Sequence, residues 1–594
     1  MKNIVKLLTV ISIIIIAFTS CKKFLDQQPK SELAAETFFS NNASAELALN
    51  TAYGATRANN FLIFGINLFP TDYTKLNETG QNSDREGIGY YQHLPSNSTV
   101  LSIWSDNYNV IVRSNAVING VEGNPKVPSA AIYSAEAKAL RAMAYFNLVR
   151  MFGAVPKVLF SAGEYQTDFE NYERAPVDSI WSLIISDLEF SVANAQTKAK
   201  SPFGKITKGF ATALLAKVYL TLGSNQQRDA LGDGKVYFQK CLDLCRQIKT
   251  SNEYSLVPYF PDNFTLEGER NSEVLWAVQF ESGVNLGGTV GEHMGVLGNG
   301  NNLGSVFPGV IIATDYAWQN GNLFDYKDSI RRLWTLERVK YTASIPPFTT
   351  PTNPAFESFD DTTYVPKLAH YHGRNSGGLN ANSTPAQIAT FYRNRFIGTF
   401  PAAMITKYRR YPRLPANYLY SQYPLDLPVI RYSEVLLMLA EAANEVSGSP
   451  TQEAYDAVNL VRARARNRNN APGGGLREDI YPRVVQTIAG NTPDWSGLSY
   501  TDFRTEILQE RSRELFGEWG CRWFDLVRRG VLKQEVDKVF NNGWLCTYLG
   551  NNRPEFRFGR TQTMNVQSHH ALLPIPQGEI IRNRKLAQNP GYPN

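Results

Sequence analysis

The chain has 594 residues, of which 43% are hydrophobic, 12% aromatic and 19% charged, enough for one large domain or several coupled ones. The formal net charge is +6, and it falls to +4 without the first twenty residues, which carry two lysines and no acid. So small an excess on so long a chain argues against a nucleic-acid-binding protein.

The first twenty-five residues have the pattern of an export signal. Two lysines precede an apolar run at residues 7–16, which is too short to span a bilayer stably. Small residues then stand directly before Cys21, an arrangement that resembles the lipobox of bacterial lipoproteins. We therefore predict cleavage after residue 20, lipidation of Cys21 and a soluble mature chain that is tethered to a membrane by acyl chains. The alternative is an ordinary secretory signal with a chance cysteine.

Helical periodicity is clearest from Ile103 to about Gly223, with one further helix predicted before this region and one after it. Apolar residues at helical spacing predict helices at residues 43–57, 134–150, 177–191, 209–222 and 235–249. Several alanines around 135–142 leave the second of these slim enough for close neighbours. On the last helix Cys241 and Cys245 share the apolar stripe without a histidine or acid, which favours buried thiols over a metal pair.

Two long stretches between the helical regions lack a regular period. Residues 59–99 are rich in Asn, Gly and Tyr, and residues 283–309 contain nine glycines. A third stretch, residues 341–383, is dense in Pro, Thr, Ser and Asn. Long loops on a helical body are the usual place for a recognition surface, so we expect these segments to carry ligand contacts.

A second helix pair is predicted within residues 430–468. Its second helix is expected to begin at Ser449-Pro450-Thr451-Gln452, with serine as the N-cap and proline at N1. The unit has the length of a tetratricopeptide-type repeat but not its consensus. The sequence thus predicts a mostly α-helical fold, in which tetratricopeptide-like helix pairs form a curved scaffold and long loops and a few short strands carry the ligand face. One such strand is residues 273–280, where Trp276 is expected to be core.

Several motifs spread over the whole chain occur together. The last of them is Leu-Leu-Pro-Ile-Pro-Gln-Gly-Glu-Ile at 572–580, with Asn583 and then Gln-Asn-Pro-Gly-Tyr at 588–592. Before it come Arg-Tyr-Ser-Glu-Val-Leu-Leu at 431–437, Glu-Arg-Ser-Arg-Glu-Leu-Phe at 510–516 and Arg-Trp-Phe-Asp-Leu-Val-Arg at 522–528. Residues 136–155 and the lipobox, which is followed by Phe24-Leu25-Asp26 and Pro29, complete the set. Together they resemble the SusD/RagB family of surface lipoproteins, which partner outer-membrane nutrient transporters. Residues 517–521 depart from the glutamate-glycine-histidine that is usual there.

The resemblance implies an organisation and a role. It implies a signal peptide at 1–20, an N-terminal SusD-like helical region at 21–230 and a C-terminal SusD/RagB region at 231–594, packed together as one globular body. Family members bind oligosaccharides or, in some branches, peptides. They sit on a SusC-like TonB-dependent barrel at the outer membrane, face the cell surface through a lipid anchor, and are not enzymes.

A charged cluster raises the question of catalysis. It comprises Glu506, Glu510, Arg511, Arg513, Glu514, Arg522 and Asp525. A glycosidase needs one carboxyl with a raised pKa, whereas arginines within one helical turn favour the ionised form. We therefore expect a structural ion-pair network. No protease, hydrolase or P-loop motif is present.

Histidine pairs are the other candidates for chemistry. His370 with His372, and His569 with His570, lack an acid at zinc-site spacing. They are expected to be surface histidines, and no metal or cofactor is predicted.

Sugar binding requires aromatic faces flanked by amide, carboxylate or guanidinium groups. The candidate ligand-binding residues are Trp104, Asn107, Arg85, Tyr90, Tyr91, Tyr316 and Trp318. For Trp104 the alternative is a core position at a helix start. The aromatic, amide-rich loops favour an oligosaccharide ligand over a peptide. A glycoside hydrolase and a helical scaffold without a small ligand are the two hypotheses from other classes.

Overall fold

The structure is a computed structural model. It describes residues 38–58, 71–76, 83–160, 172–225, 232–266, 268–281, 424–466, 492–519, 521–540 and 566–593, with shorter pieces between 287 and 408 and residue 564. The predicted lipobox with Cys21, and the loop at 341–383 with His370 and His372, lie outside these residues.

Helices dominate the described residues. In chain order they are α1 (Asn42–Ala55), α2 (Ser83–Gly89), α3 (Ser98–Val121), α4 (Ala130–Phe152), α5 (Val177–Asn194), α6 (Lys208–Ser224), α7 (Gly234–Ser251), α8 (Tyr432–Ser447), α9 (Gln452–Ala465), α10 (Tyr500–Leu515), α11 (Cys521–Arg528), α12 (Leu532–Phe540) and α13 (Gln577–Arg582). The strands are β1 (Thr74–Leu76), β2 (Val155–Pro156), β3 (Arg174–Ala175), β4 (Val274–Val278), β5 (Ile311–Ala313), β6 (Leu336–Glu337), β7 (Ala403–Ile405) and β8 (Leu427–Arg431).

The long helices form a continuous row. From α3 to α9 each helix packs against the next one along the chain, and α7 meets α8 although about 180 residues separate them in sequence. In α4 every residue from Ser134 to Phe152 except Lys138 is buried. Its alanines leave room for α3 on one side and α5 on the other, as predicted. The predicted mostly helical fold is confirmed.

Two local predictions were wrong. Helix α9 begins at Gln452, and its N-cap is Thr451, whose side-chain oxygen accepts the Ala454 N–H at 3.2 Å. Gly448 ends α8 with φ +71°, in the left-handed region. Ser449 and Pro450 then turn the chain, so neither of them begins α9. The stretch at 59–99 was predicted to be irregular, but it contains β1 and α2.

Other predictions from periodicity were correct. Cys241 and Cys245 are fully buried on α7, and neither forms a disulfide. Trp276 lies on β4, 4% exposed, and its indole N–H donates to the Gly204 carbonyl at 3.0 Å. Strand β4 pairs with β8, which leads directly into α8. The residues around Trp276 therefore connect the two halves of the chain.

Buried ion pairs form a network around two carboxylates of α10, Glu510 and Glu514. Glu510 is fully buried and accepts hydrogen bonds of 2.7 Å each from Arg331, Arg462 and Arg513. Burial opposes ionisation of this carboxyl, but the three guanidinium groups outweigh burial and hold its pKa well below the usual range.

One turn further along α10, Glu514 repeats the arrangement. It accepts hydrogen bonds from Arg431 at 3.0 Å, from Arg331 at 3.3 Å and from Arg464. Arg431 and Arg464 also share the buried Glu273, at the start of β4. The pKa of Glu514 lies far below its usual range, because these cations overcome the effect of burial. The predicted structural ion-pair network is confirmed.

The C-terminal segment is bound to the helical row. The Leu573 N–H donates to Met151 at the end of α4 at 2.6 Å, and the Gln577 N–H donates to Pro95 at 2.9 Å. The Asn589 side chain donates to the Phe152 carbonyl at 3.0 Å. Gly591 has φ +90°, and a Cβ there would lie 2.5 Å from the imidazole of His569, so this turn requires glycine. The final motif thus closes one end of α4.

The first prediction concerns the network. Glu510→Gln keeps the shape of the side chain but leaves Arg331, Arg462 and Arg513 without their shared negative charge, so unfolding free energy should fall by about 3–5 kcal/mol. The matched control is Glu506→Gln. Its side chain is 43% exposed and pairs with Arg513 at 3.5 Å, and exposed pairs of this kind contribute about 1 kcal/mol or less. Calorimetric melting checks both variants, and equal losses would contradict a specific role for the buried carboxylate.

Candidate functional site

A small sheet joins strands that lie in or next to two of the three segments that the sequence predicts to bind ligand. Its four strands lie in the order β1-β5-β7-β6, and every pair is antiparallel. Strand β1 lies within the first irregular segment, β5 follows the glycine-rich segment, and Thr74 pairs with Ala313. Candidate segments about 240 residues apart in sequence therefore emerge from neighbouring strands.

The sheet is anchored to α10 and α11. Asp72, just before β1, forms a buried ion pair with Arg522, and the Tyr73 hydroxyl donates to Gln509. Beyond β7 the Lys407 ammonium donates to the Glu514 carbonyl at 2.7 Å and to the Phe516 carbonyl at 3.1 Å. These contacts fix the strands on the ion-pair network.

Lys407 is itself fully buried. Burial lowers the pKa of its ammonium to about 8, against the opposing effect of Glu518, with which it pairs. Because water does not reach the Lys407 ammonium, its charge is stabilised by Glu518 and by the two backbone carbonyls that it contacts.

Trp104 and Asn107 lie together on α3, but both point into the core. The Trp104 ring is 2% exposed and packs edge-on against Phe152, with ring centroids 5.1 Å apart. Asn107 is fully buried; its amide donates to the Ile103 carbonyl at 2.8 Å, and its carbonyl accepts from Asn147 at 3.2 Å. Packing against α4 covers both side chains, so Trp104 takes the core position that was its alternative, and Asn107 is buried as well.

Of the other candidate ligand-binding residues, Tyr91 and Tyr90 pack in or against the core, and the remaining side chains are not among the described residues. Tyr91 is 2% exposed, lies in a turn at φ +55° and contacts the His570 ring. Tyr90 is half-buried against the core. Arg85 belongs to α2, but its side chain lies outside the described residues. Tyr316 and Trp318 follow β5 by three and five residues and also lie outside them.

Asp106 is a polar residue that the sequence-based selection omitted. It is half-buried on α3, and its Oδ2 atom has no hydrogen-bond partner in the described structure. Burial raises the pKa of its carboxyl to about 7. Near neutral pH such a group can both donate and accept a hydrogen bond, as a sugar hydroxyl requires. Its position between Trp104 and Asn107 was visible in the sequence, but its burial was not.

Three histidines and two tyrosines form a cluster where the C-terminal segment meets the turn before α3. His93 and His570 are 3% and 4% exposed, and the His93 Nε2 atom lies 3.0 Å from the Tyr592 hydroxyl. The His570 Nδ1 atom accepts the Gln567 N–H at 2.9 Å, which fixes a neutral ring protonated at Nε2. His569 is half-buried, and its ring contacts that of His570 at a tilt of 55°, with centroids 4.1 Å apart.

The burial of this cluster changes the titration of its rings. Burial, with added repulsion from neighbouring histidines, lowers the pKa of His93 to about 3 and that of His570 to about 4. The expectation that His570 lies on the surface was wrong, because the last residues of the chain fold back onto residues 91–93.

No group of three or more His, Cys, Asp or Glu residues within the described parts of the chain could hold a metal ion. Of the helices that the structure describes, none is both long and apolar enough to cross a membrane.

Comparison with protein families agrees with this geometry. Residues 272–592 match the model described as the SusD family, and residues 23–220 match one described as starch-binding associating with outer membrane. The chain belongs to the SusD family. It is 25% identical over 622 residues to SusD-like protein P25 of Formosa agariphila, covering 96% of this chain and 97% of that protein. It is 22% identical over 487 residues to the starch-binding protein SusD of Bacteroides thetaiotaomicron, covering 77% and 72% of the two chains.

Solved structures have the same fold. A SusD homologue from Bacteroides thetaiotaomicron superimposes with a TM-score of 0.72 at 22% identity, covering 95% of this chain and all of that one. A protein described as a laminarin-binding SusD-like protein superimposes with a TM-score of 0.59 at 21% identity, covering 93% of this chain and all of that one. The resemblance found in the sequence is confirmed for family and fold.

A second prediction tests the position of Trp104. Trp104→Ala removes a fully packed ring and should lower unfolding free energy by about 3–5 kcal/mol. Phe203→Ala is the control, because Phe203 is 49% exposed and its loss should change unfolding free energy by about 0.5 kcal/mol or less. Thermal melting followed by circular dichroism measures both. A Trp104→Ala protein that melts like the wild type would place the ring outside the core.

A third prediction follows from the histidine cluster. His570 stays neutral in the folded state but binds a proton in the unfolded chain below about pH 6.5, so its contribution to stability is complete above that pH and is lost as the pH falls. His570→Phe should therefore reduce the loss of stability between pH 6.5 and 5 by up to about 1.4 kcal/mol per pH unit.

Denaturant unfolding at each pH gives the slope of unfolding free energy against pH for the wild type and for His570→Phe. The contributions of titratable groups that both proteins share cancel in the difference between the two slopes. Identical slopes for wild type and variant would show that the ring titrates alike in both states.

Proposed function

We propose that this protein is a glycan-binding lipoprotein of the outer membrane, which captures oligosaccharides and passes them to a SusC-like TonB-dependent transporter without cleaving them. The observation that carries the proposal is the match to two SusD-type models over nearly the whole mature chain. Support comes from relatives described as starch-binding and laminarin-binding, and from one described with a bound xylogluco-oligosaccharide.

The proposed ligand surface is built on the four-stranded sheet. Tyr90, Arg85, Tyr316 and Trp318 belong to segments that adjoin β1 and β5, and we propose that their side chains meet the sugar. Aromatic faces suit the C–H-rich faces of pyranose rings, and a guanidinium suits their hydroxyl groups. Asp106 is a further candidate for a hydroxyl contact.

A supporting role is proposed for the buried candidates. Trp104, Asn107 and Tyr91 are buried in the core of the described residues. Their packing would hold α3 and the turn before it in place, so their loss would weaken binding through the fold.

Binding without catalysis is supported by the electrostatics of the most prominent carboxylates. Glu510, Glu514 and Asp525 are each held ionised by arginines, with pKa values far below their usual range despite burial. A carboxyl of this kind cannot serve as the general acid of a glycosidase. The proposed anchor at Cys21 would place the protein on the membrane that carries the transporter.

The fourth prediction tests ligand class and site together. Calorimetry of residues 22–594 against a panel of polysaccharides should show binding to one glycan. Trp318→Ala should raise Kd by about tenfold, the loss expected from one stacked ring. Phe203→Ala removes an exposed ring on the loop before α6 and should leave Kd unchanged.

The other outcomes each contradict the proposal in a distinct way. Binding to peptide mixtures alone would assign the protein to the peptide-binding branch of the family. Release of reducing sugar from any polysaccharide would indicate a hydrolase. A chain whose melting temperature responds to no sugar and no peptide would be a scaffold.

A further inference from the structure

The turn between α2 and α3 is in contact with the C-terminal segment along its length. Three alternate residues of the turn each meet a residue from the end of the chain. The pairs are Tyr91 with His570, His93 with Tyr592, and Pro95 with Gln577. The turn is thus fastened to a segment that lies almost 500 positions later in the sequence.

The middle pair has a defined hydrogen-bond direction. The Tyr592 hydroxyl donates its single proton to the Leu572 carbonyl at 2.7 Å, so it can only accept from His93. The His93 Nε2 atom, 3.0 Å away, is therefore the donor, and the neutral ring carries its proton on Nε2. His93 is 3% exposed, so loss of the Tyr592 hydroxyl would leave this N–H group buried without its acceptor.

Residues 84–98, which we call the α2 unit, are closed at their base by side-chain hydrogen bonds. The Asn97 amide donates to the Asp84 carbonyl at 2.7 Å, and the Asp84 carboxylate accepts the Ser98 N–H at 3.0 Å. The start of α2 and the start of α3 are therefore tied to each other. Because its base is closed, the α2 unit is expected to move as one body.

The α2 unit carries two of the residues that we propose to meet the sugar. Arg85 belongs to α2, and Tyr90 follows the last residue of that helix directly. The position of both residues therefore depends on how the α2 unit is oriented on the core.

The C-terminal segment is itself fixed to the core on its other side. The Leu573 N–H donates to the Met151 carbonyl at 2.6 Å. The Asn589 amide donates to the Phe152 carbonyl at 3.0 Å and to the Leu573 carbonyl at 2.7 Å. The segment thus connects the buried end of α4 to the α2 unit.

We infer that the C-terminal segment positions the α2 unit for ligand binding, and that Tyr592 is a positioning residue, which acts through His93. This role rests on the proposed function, in which side chains of the α2 unit meet the sugar. A site binds more tightly when its side chains already have the bound geometry before the ligand arrives. The contact therefore raises affinity by limiting the movement of α2.

The fifth prediction is a loss of affinity without direct contact. Tyr592→Phe keeps the ring but removes the hydroxyl, so the Kd for the glycan that the wild type binds should rise by about three- to tenfold. Tyr500→Phe is the matched control, because the half-buried Tyr500 hydroxyl donates to Glu445 at 2.7 Å and joins α10 to α8. Both variants should melt at a lower temperature, but only Tyr592→Phe should weaken binding in calorimetry. A wild-type Kd for Tyr592→Phe would overturn the positioning role.

Two substitutions of His93 separate the hydrogen bond from the packing of the ring. His93→Gln keeps an N–H donor close to the position of Nε2, whereas His93→Leu removes it. His93→Leu should raise Kd as Tyr592→Phe does, and His93→Gln should recover most of that loss. Equal Kd values for the two His93 variants would contradict a role for the bond to Tyr592.

Amide hydrogen exchange tests the positioning role without a ligand. The amides of residues 84–98 should exchange at least about threefold faster in Tyr592→Phe than in Tyr500→Phe, while those of α5 should exchange alike in both. Equal protection of the α2 unit in the two variants would refute the inference. A wild type that binds no glycan would instead count against the proposed function, and the exchange rates would still decide whether Tyr592 holds the α2 unit.

Discussion

Two carboxylates on successive turns of α10, each shared by three arginines, are the constraint on which the described structure most depends. Removing such charges from water is costly, and attraction offsets the cost only when each oxygen is met by well-placed donors. Glu510 and Glu514 satisfy this condition by drawing arginines from β8, α9 and the segment between β5 and β6 to one point. An element that supplies one of these arginines cannot shift without leaving a buried charge unpaired, so the network specifies how helices and sheet are joined.

Much of the helical row was predictable, because each helix carries its own apolar period. Residues 177–191 and 209–222 were predicted within three residues of the observed ends at each terminus. The role of the α10 charges was also predictable, since arginines one turn from glutamates favour ionised pairs. Their most important partners were not, because Arg331 lies 179 residues and Arg431 83 residues from the carboxylates that they bind. The residue spacing within one helix carries no information about ion pairs between residues so far apart in sequence.

The candidate site was harder to predict for the same reason. A tryptophan on a helix suits a core as well as a sugar platform, and only the arrival of Phe152 from α4 decides that Trp104 is covered. His570 looked like a surface residue, because the residues that enclose it include His93 and Tyr91, almost 500 positions earlier in the chain. The sequence indicated which segments carry recognition chemistry but not which of their side chains face outward.

The strands β1, β5, β6 and β7 are short and distant in sequence, yet they meet in one sheet that is fixed to α10 and α11. The ends of the segment between β5 and β6, and those of the segment between β6 and β7, are therefore held close together on one sheet. A segment with such anchored ends can gain, lose or exchange residues with little effect on the core, because the entropic cost of closing a longer loop rises only slowly with its length. The helical scaffold can therefore stay the same while the loop segments change, so related proteins can acquire new ligands on a common fold.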